Sequence, residues 1–363
     1  MSLAIKLALK GEGKVAPNPL VGAVIVRKNK IIGRGYHQYF GGPHSEINAI
    51  NSVKNPEHLK GATLYLTLEP CSHFGKTPPC ADAIAYSGIS KVVIASRDPN
   101  PLVRGRGVRL LKQHGINVIG GVLAKEARAI NKPFFKAHQK GIPYVIAKWA
   151  MSMDAKMAYP NGKPKWITSK ESRDYAKVIR GRCQAVMVGI ETALEDNPFL
   201  LPQMNSAETA IANADKRRKP IRIILDSKAR LPSNSNLIRT IGKGDVYLMV
   251  SASAPRKRIV ALEKKGVRVF RVAGRLGKLD FMAAMRTLAK SGIQKIMIEG
   301  GADVLKSAFD NKVVDEVYCF VAPKVIGCEN TLSAIGFLKK AGPFEQGATV
   351  KDMGSDILLH GYV

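Results

Sequence analysis

The chain reads as an α/β protein built from two layered domains, and three observations predict this. Strand-like and helix-like segments alternate from the start, the alternation pauses at a polar, basic stretch near residue 140, and it then restarts. At 363 residues the chain is also longer than one hydrophobic core usually organises. Apolar residues make up 45% and charged residues 23%, which is the balance of a packed globular protein and excludes disorder as the default. No apolar run approaches the ~20 residues that cross a bilayer. Lysines interrupt the opening Met1–Lys10 before a signal-peptide core can form, so a short amphipathic helix and a cytoplasmic location are expected.

The elements follow in order. Leu20–Arg27 is apolar and β-branched, Lys28-Asn29-Lys30 is a turn, and Ile31–His37 returns, which predicts a hairpin. Ser45–Val53 has helical spacing, Ala62–Leu68 reads as a buried strand, and Cys80–Ser87 as a helix. A strand at Lys91–Ala95 and a helix at Gly107–His114 complete the pattern. Asn131–Pro143 is expected to hold the domain joint, giving domains 1–141 and 142–363. Beyond it, strands are predicted at Tyr144–Ala150, Ala185–Gly189, Ile221–Asp226, Val246–Val250, Val267–Val272, Lys295–Ile298 and Val317–Val321. Helices are predicted at Glu171–Arg180, Arg258–Lys265 and Phe281–Ser291, and an exposed loop at Met204–Lys219.

Charge narrows the partners only loosely. Lys and Arg outnumber Asp and Glu by 57 to 28, a net +29 that attracts anions. The lysines are spread through both halves, as they would be in any protein of a basic proteome, so charge alone does not select nucleic acid. Five cysteines are too few, and an odd number, for a disulfide scaffold. Cys183, Cys319 and Cys328 read as inert thiols.

Cys71 and Cys80 are different because of their company. Pro43-His44-Ser45-Glu46 is followed by Glu69-Pro70-Cys71 and Pro79-Cys80. One imidazole and two thiolates make a three-ligand zinc set whose fourth tetrahedral position stays open, the mark of a catalytic ion. Glu46 is too near His44 to be needed as a ligand and is suited to proton transfer. Zinc nucleobase deaminases use this division of labour, with metal-activated water and a non-ligand Glu. His44 and Cys80 each follow a proline at a predicted helix start, where the positive end of the helix dipole favours a thiolate.

The strings EPCSHFGKTPPC, APNPLVGAVIV, GYHQYFGGPHSE and RDPNP resemble the deaminase half of the bifunctional deaminase/reductase family of riboflavin biosynthesis. The eight residues between the two cysteines, in place of the usual two, belong to that resemblance. It implies a cytidine-deaminase-like α/β/α domain and a substrate that is a diaminopyrimidinone carrying a phosphoribosylamino group. It also implies that Asn18, His37, His73, Lys76, Asp98 and Asn100 line the pocket. Asn and Asp can pair with heterocycle edges, while Lys and His suit a phosphate. Asn18 and Asn100 each precede a proline, which is also ordinary turn chemistry. Ser45 stands where the family usually has alanine, and no role is expected of it.

No Rossmann fingerprint occurs; Gly33-x-Gly35 and Gly105-Arg106-Gly107 read as turn glycines. KWAMSMDAKMA, WITSKESR, VGIETALEDNP, ILDS and IEGGADVL instead resemble the dihydrofolate-reductase-like domain of the same family, which reduces the ribosyl group to ribityl with NADPH. The resemblance implies that Ala150, Trp166, Thr192, Asp196, Ser227 and Gly301 contact NADPH. Arg180, Leu200 and Glu299 would contact the sugar phosphate. Glu299-Gly300-Gly301, between a strand and a helix, lets phosphate approach backbone N–H groups. This half departs from the family at Ala155, Pro164, Leu201 and Gln203, where glycine, serine, threonine and arginine are usual.

The expected cofactors are one Zn2+ per chain and NADPH, and the expected partners are the small-molecule substrate and further copies of the chain, as a dimer or tetramer. Two other readings stand beside the bifunctional one. A deaminase with an impaired reductase half would release ammonia without oxidising NADPH. A nucleic-acid base deaminase would act on tRNA or single-stranded DNA.

Overall fold

The computed structural model describes residues 1–72, 79–160, 166–202, 220–275, 277–327, 331–334, 336 and 347–363. Its contacts divide the described chain into two compact units, with the division between Gly141 and Ile142. The predicted loop over Met204–Lys219 lies outside the described residues.

The first unit opens with α1 (Ser2–Ala8) and a hairpin of β1 (Gly22–Arg27) and β2 (Lys30–Tyr36). Lys28 and Asn29 form its two-residue turn with φ of 47° and 58°, the doubly left-handed conformation that matches strand twist. There follow α2 (Ser45–Asn51), β3 (Thr63–Leu68), α3 (Cys80–Tyr86), β4 (Lys91–Ser96), α4 (Arg106–Gln113), β5 (Asn117–Gly120), α5 (Ala124–Ala129) and α6 (Lys132–Lys140). The sheet order is β2-β1-β3-β4-β5, with β1 antiparallel to both neighbours and β3, β4 and β5 parallel.

Alternation along the strands builds the layers. Ala23, Ile25, Leu64 and Leu66 face one side and pack with Ala49 of α2, Ile84 of α3 and Leu111 of α4. Val24 faces the other and packs with Ala4 and Leu7 of α1. One expectation gains detail here and one is corrected. The predicted joint is itself largely helical: α6 has proline in its first turn and ends at Gly141, φ 66°, the usual start and stop signals outweighing its polar composition. Gly33 and Gly35 are not turn residues but lie inside β2, because α2 presses on that strand. A Cβ on Gly35 would sit 2.3 Å from the Ala49 nitrogen.

The second unit contains β6 (Tyr144–Ser152), α7 (Lys170–Gly181), β7 (Ala185–Gly189), α8 (Ile190–Asp196), β8 (Ile221–Leu225) and β9 (Asp245–Ser251). It continues with β10 (Arg268–Val272), the short β11 (Gly274–Arg275) and β12 (Lys278–Leu279), then β13 (Lys295–Glu299), β14 (Val314–Ala322), β15 (Ala348–Met353) and β16 (Asp356–Tyr362). Further helices span Asn236–Arg239, Arg256–Glu263, Phe281–Lys290 and Ala302–Asp310. The nine-stranded sheet runs β10-β9-β8-β7-β13-β6-β14-β16-β15, parallel as far as β14 and antiparallel beyond it.

Both faces of this sheet are covered, so its central strands are apolar throughout. Val145, Ala147 and Met187 join one core, and Ile146, Val188 and Ile224 the other. β13 enters between β7 and β6, so the order of connection reverses there. In open parallel sheets the carboxyl ends beside such a reversal form a crevice. Glu299 is the last residue of β13, and it ends in that position. The hairpin of β15 and β16 went unpredicted because β15 is almost wholly exposed and carries no alternating pattern.

Candidate active site

In the first unit, three chain segments meet. His44 immediately precedes α2 in extended conformation, Cys80 is the first residue of α3, and Cys71 follows β3. Nδ1 of His44 lies 3.2 Å from Sγ of Cys80 and 3.6 Å from Sγ of Cys71. All three ligand atoms fall within 4.8 Å of one another. Tetrahedral zinc with the usual bond lengths separates S from N by ~3.5 Å and S from S by ~3.8 Å, so the cluster fits that ion.

Cys71 is the more acidic of the two thiols. Hydrogen bonding with Cys80, then with His44, holds the Cys71 thiol well below its ordinary range despite burial. The backbone N–H of Cys80 also donates to Cys71 Sγ at 3.3 Å. Hydrogen bonding with Cys71 and burial push Cys80 upward, and a coordinated divalent cation removes such a proton outright. The hydrogen bond with Cys71 raises His44.

Glu46 lies in the first turn of α2 and is 3% exposed. Burial, then the Cys71 charge, raises its pKa, while a 2.8 Å hydrogen bond from Ser45 Oγ to Oε2 opposes the rise. Ser45 therefore has a contact that its expected neutrality overlooked. His37 is next to His44, with ring centroids 5.2 Å apart. Its Nδ1 is 3.0 Å from the Pro43 carbonyl and its Nε2 is 3.0 Å from Asn18 Nδ2. The carbonyl can only accept, so Nδ1 donates and Nε2 accepts from Asn18, which requires a neutral ring. Burial lowers the His37 pKa in agreement.

Asp98 and Asn100 occupy the loop after β4. The Asn100 N–H donates to Asp98 Oδ1 at 2.7 Å, and burial pushes the Asp98 carboxyl up to about 7. The side chain that fixes this loop is Glu69, to which no role had been given. Its Oε2 accepts from the Asp98 N–H at 3.3 Å and its Oε1 from the Val108 N–H of α4 at 3.2 Å. The motif Glu-Pro-Cys contained the signal, since a buried carboxylate requires donors. His73 and Lys76 lie outside the described residues.

In the second unit, Glu299 receives both arms of Arg180, with Nε to Oε2 at 2.6 Å and Nη2 to Oε1 at 2.7 Å. Lys148 Nζ reaches Oε1 at 3.3 Å. Burial opposes ionisation of Glu299, but the two cations outweigh it and hold the carboxyl at about 2. Arg180 Nη1 donates to the Leu201 carbonyl at 3.2 Å, which brings Leu200 to this group. Lys148 was not predicted; it lies two residues from Ala150 on β6 and so on the same face.

Gly301 precedes helix Ala302–Asp310, and both Gly300 and Gly301 have positive φ. A Cβ on Gly301 would meet Thr192 Oγ1 at 3.1 Å and the Gly189 nitrogen at 3.7 Å, whereas one on Gly300 would meet nothing within 4 Å. The helix start, Thr192 and Gly189 thus form a cradle beside open space, which suits a cofactor phosphate. Ser227 follows β8, and its carbonyl accepts Ser251 Oγ at 2.8 Å. Asp196 closes α8 and is exposed. Trp166 is 55% exposed, with the Arg173 guanidinium 4.9 Å from its ring centre.

The departures are partly visible. Ala155 takes the left-handed conformation at φ 60°, where the family's glycine would be unstrained. Pro164, Gln203 and Cys328 lie outside the described residues. Burial pushes Cys183 and Cys319 up to about 11 and about 12, as expected of inert thiols.

Comparisons with known proteins cover both units. Residues 143–358 match the family described as RibD C-terminal domain, and residues 1–96 match the cytidine and deoxycytidylate deaminase zinc-binding region. The chain is 38% identical to riboflavin biosynthesis protein RibD of Aquifex aeolicus (strain VF5), over 99% of this chain and 96% of that protein. It is 35% identical to the protein of that name from Escherichia coli (strain K12), over 99% and 97%. Among solved structures, Acinetobacter baumannii RibD (form 1) has a TM-score of 0.82 at 33% identity, with 99% of this chain and 97% of that chain covered. A diaminohydroxyphosphoribosylaminopyrimidine deaminase/5-amino-6-(5-phosphoribosylamino)uracil reductase from Thermotoga maritima has a TM-score of 0.78 at 35% identity, covering 100% and 97%. These matches span both halves together and favour neither alternative reading.

Proposed function

The chain belongs to the RibD family, and from that premise we propose that it performs two successive reactions of riboflavin biosynthesis on one phosphoribosyl pyrimidine. The domain 1–141 hydrolytically deaminates 2,5-diamino-6-(5-phosphoribosylamino)pyrimidin-4(3H)-one. The domain 142–363 then reduces the ribosyl group of the resulting 5-amino-6-(5-phosphoribosylamino)uracil to ribityl with NADPH. The observation that carries this reading is the cluster of His44, Cys71 and Cys80 with Glu46 buried in the adjoining first turn of α2.

Zinc held by His44, Cys71 and Cys80 would supply a Lewis acid that lowers the pKa of water at its open position. Glu46 takes a proton from the attacking water and returns it to the amino group that leaves as ammonia. Burial raises its pKa, which favours its holding a proton between the two transfers. The neutral His37, oriented by Pro43 and Asn18, offers the pocket a fixed and uncharged wall. Asp98 and Asn100, with His73 and Lys76, recognise the substrate.

In the reductase, bound NADPH would supply the hydride. Gly301 and Thr192 would receive its phosphates, and Ala150, Trp166, Asp196 and Ser227 would complete its contacts. Arg180, Leu200 and Glu299 border the sugar phosphate, and Lys148 supplies positive charge beside Glu299. The Arg180 fork is committed to Glu299, so its help to a phosphate is through the field and not through two parallel bonds.

Thiolate ligands require reduced cysteines, which supports a cytoplasmic location. No described helix is long and apolar enough to cross a membrane. The exposed outer edge of β15 supports a homo-oligomer, dimer or tetramer, which light scattering would test. The decisive experiment is a two-step assay with zinc analysis of the same sample. Ammonia release followed by NADPH oxidation is expected; ammonia without NADPH oxidation would overturn the reductase assignment.

A further inference from the structure

Arg222, on β8, is fully buried. Among the described residues it has no ion-pairing carboxylate; Asp245 exerts only a weaker attraction at longer range, and burial lowers the guanidinium to about 10. Nη1 donates to the Phe199 carbonyl at 3.3 Å and to Thr240 Oγ1 at 2.7 Å. Nη2 donates to the Thr240 carbonyl at 3.1 Å and to that of Gly244, while Nε has no partner. Sheet packing alone does not call for such a residue. An apolar side chain of similar volume would fill the position without the desolvation cost of an unneutralised cation.

Its partners suggest what the charge does. Two residues beyond Phe199, Arg180 holds the Leu201 carbonyl. Two guanidinium groups therefore grip carbonyls on either side of Leu200. That residue is in the left-handed region at φ 52°, and its side chain is only 4% exposed. A leucine does not keep this conformation unless its surroundings impose it. With the side chain committed to the core, any contact to a sugar phosphate falls to the Leu200 backbone. The segment is tied at its start as well, where Asn236 N and Nδ2 donate to Asn197 at 2.8 and 2.7 Å.

We propose that Arg222 is a positioning residue of the reductase, which holds the Phe199 carbonyl so that the Leu200 backbone keeps the conformation that meets the sugar phosphate. The proposal rests on the reading that Leu200, Arg180 and Glu299 border the substrate. Arg222 touches neither substrate nor cofactor; it acts through the loop.

The test uses the full-length zinc-loaded enzyme and 5-amino-6-(5-phosphoribosylamino)uracil with NADPH. Arg222→Met should raise KM for the pyrimidine about tenfold, the scale of one lost charge-assisted hydrogen bond. The reductase kcat, KM for NADPH and deamination rate should each stay within about twofold, because uniform binding is what is lost. A purely structural role would lower thermal stability with no selective change in that KM, and this outcome overturns the proposal. Thr240→Val, which removes one of the four acceptors, should shift the same KM in the same direction by a smaller factor. It serves as the test if Arg222→Met does not fold, and an unchanged KM then overturns the proposal. Arg180→Met separates the premises. If it raises KM while the Arg222 and Thr240 variants do not, only the role of Arg222 fails. If it too leaves KM unchanged, the assignment of the substrate site fails and takes the proposal with it.

Discussion

Ser45 Oγ donates a 2.8 Å hydrogen bond to Oε2 of Glu46, the group assigned to proton transfer, and both side chains are buried. A donor of this kind favours the ionised carboxylate and so restrains the rise that burial imposes. Removing it in Ser45→Ala should raise the Glu46 pKa further. Deamination that needs the carboxylate as base should then be lost at a less acidic pH as pH falls, with the acid limb of kcat/KM displaced upward. Glu46→Gln should keep stoichiometric zinc and lose at least ~100-fold in deamination. Metal content and pH profiles check both, and retained turnover in Glu46→Gln would remove this residue from its role.

Glu69 should matter to deamination without touching the metal. Glu69→Gln turns one acceptor into a donor facing a backbone N–H, at a cost of about 1–3 kcal/mol. We expect kcat/KM for deamination to fall by roughly 5- to 100-fold at unchanged zinc content, with reduction of the deaminated substrate unaffected.

Glu299 links acid stability to the reductase site. Its folded carboxyl titrates at about 2, below its ordinary value of 4.5. Its contribution is complete above the unfolded value and is lost as pH falls toward the folded one. It amounts to about 3 kcal/mol on the scale of 1.36 kcal/mol per unit. The urea midpoint of the second unit should therefore drop between these two pH values, and Glu299→Gln should flatten that dependence while lowering stability at neutral pH.

Gly301→Ala tests the phosphate cradle. The added methyl would enter at φ 75°, 3.1 Å from Thr192 Oγ1, where a phosphate needs the space. KM for NADPH should rise about tenfold, near the worth of one charge-assisted contact, while deamination continues at its normal rate. An unchanged KM would show that the cofactor phosphates bind elsewhere.

Ala155→Gly is expected to stabilise the protein. Alanine at φ 60° bears a left-handed strain of ~1–2 kcal/mol, partly offset by the extra unfolded-state freedom of glycine. A net gain of about 1 kcal/mol should lift the melting temperature of the second unit by roughly 2–4 °C in calorimetry.

The sequence by itself made the candidate metal group of the first unit legible. Zinc ligation demands particular residue types, and His44, Cys71 and Cys80, read from type and spacing, bring their ligand atoms within 4.8 Å of one another. Most strands and helices were likewise legible, since burial on a sheet or helix face imposes a period on apolar residues. Tertiary structure alone decided the contacts between residues far apart in the chain. Ser45 appeared neutral until its rotamer turned to Glu46, and Gly35 appeared to belong to a turn until α2 packed against its strand. Arg180 meets Glu299 across 119 positions, and Arg222 reaches back 23 to Phe199. Hydrogen bonds and ion pairs of this kind depend on distances that only the folded chain sets, and no local period records them.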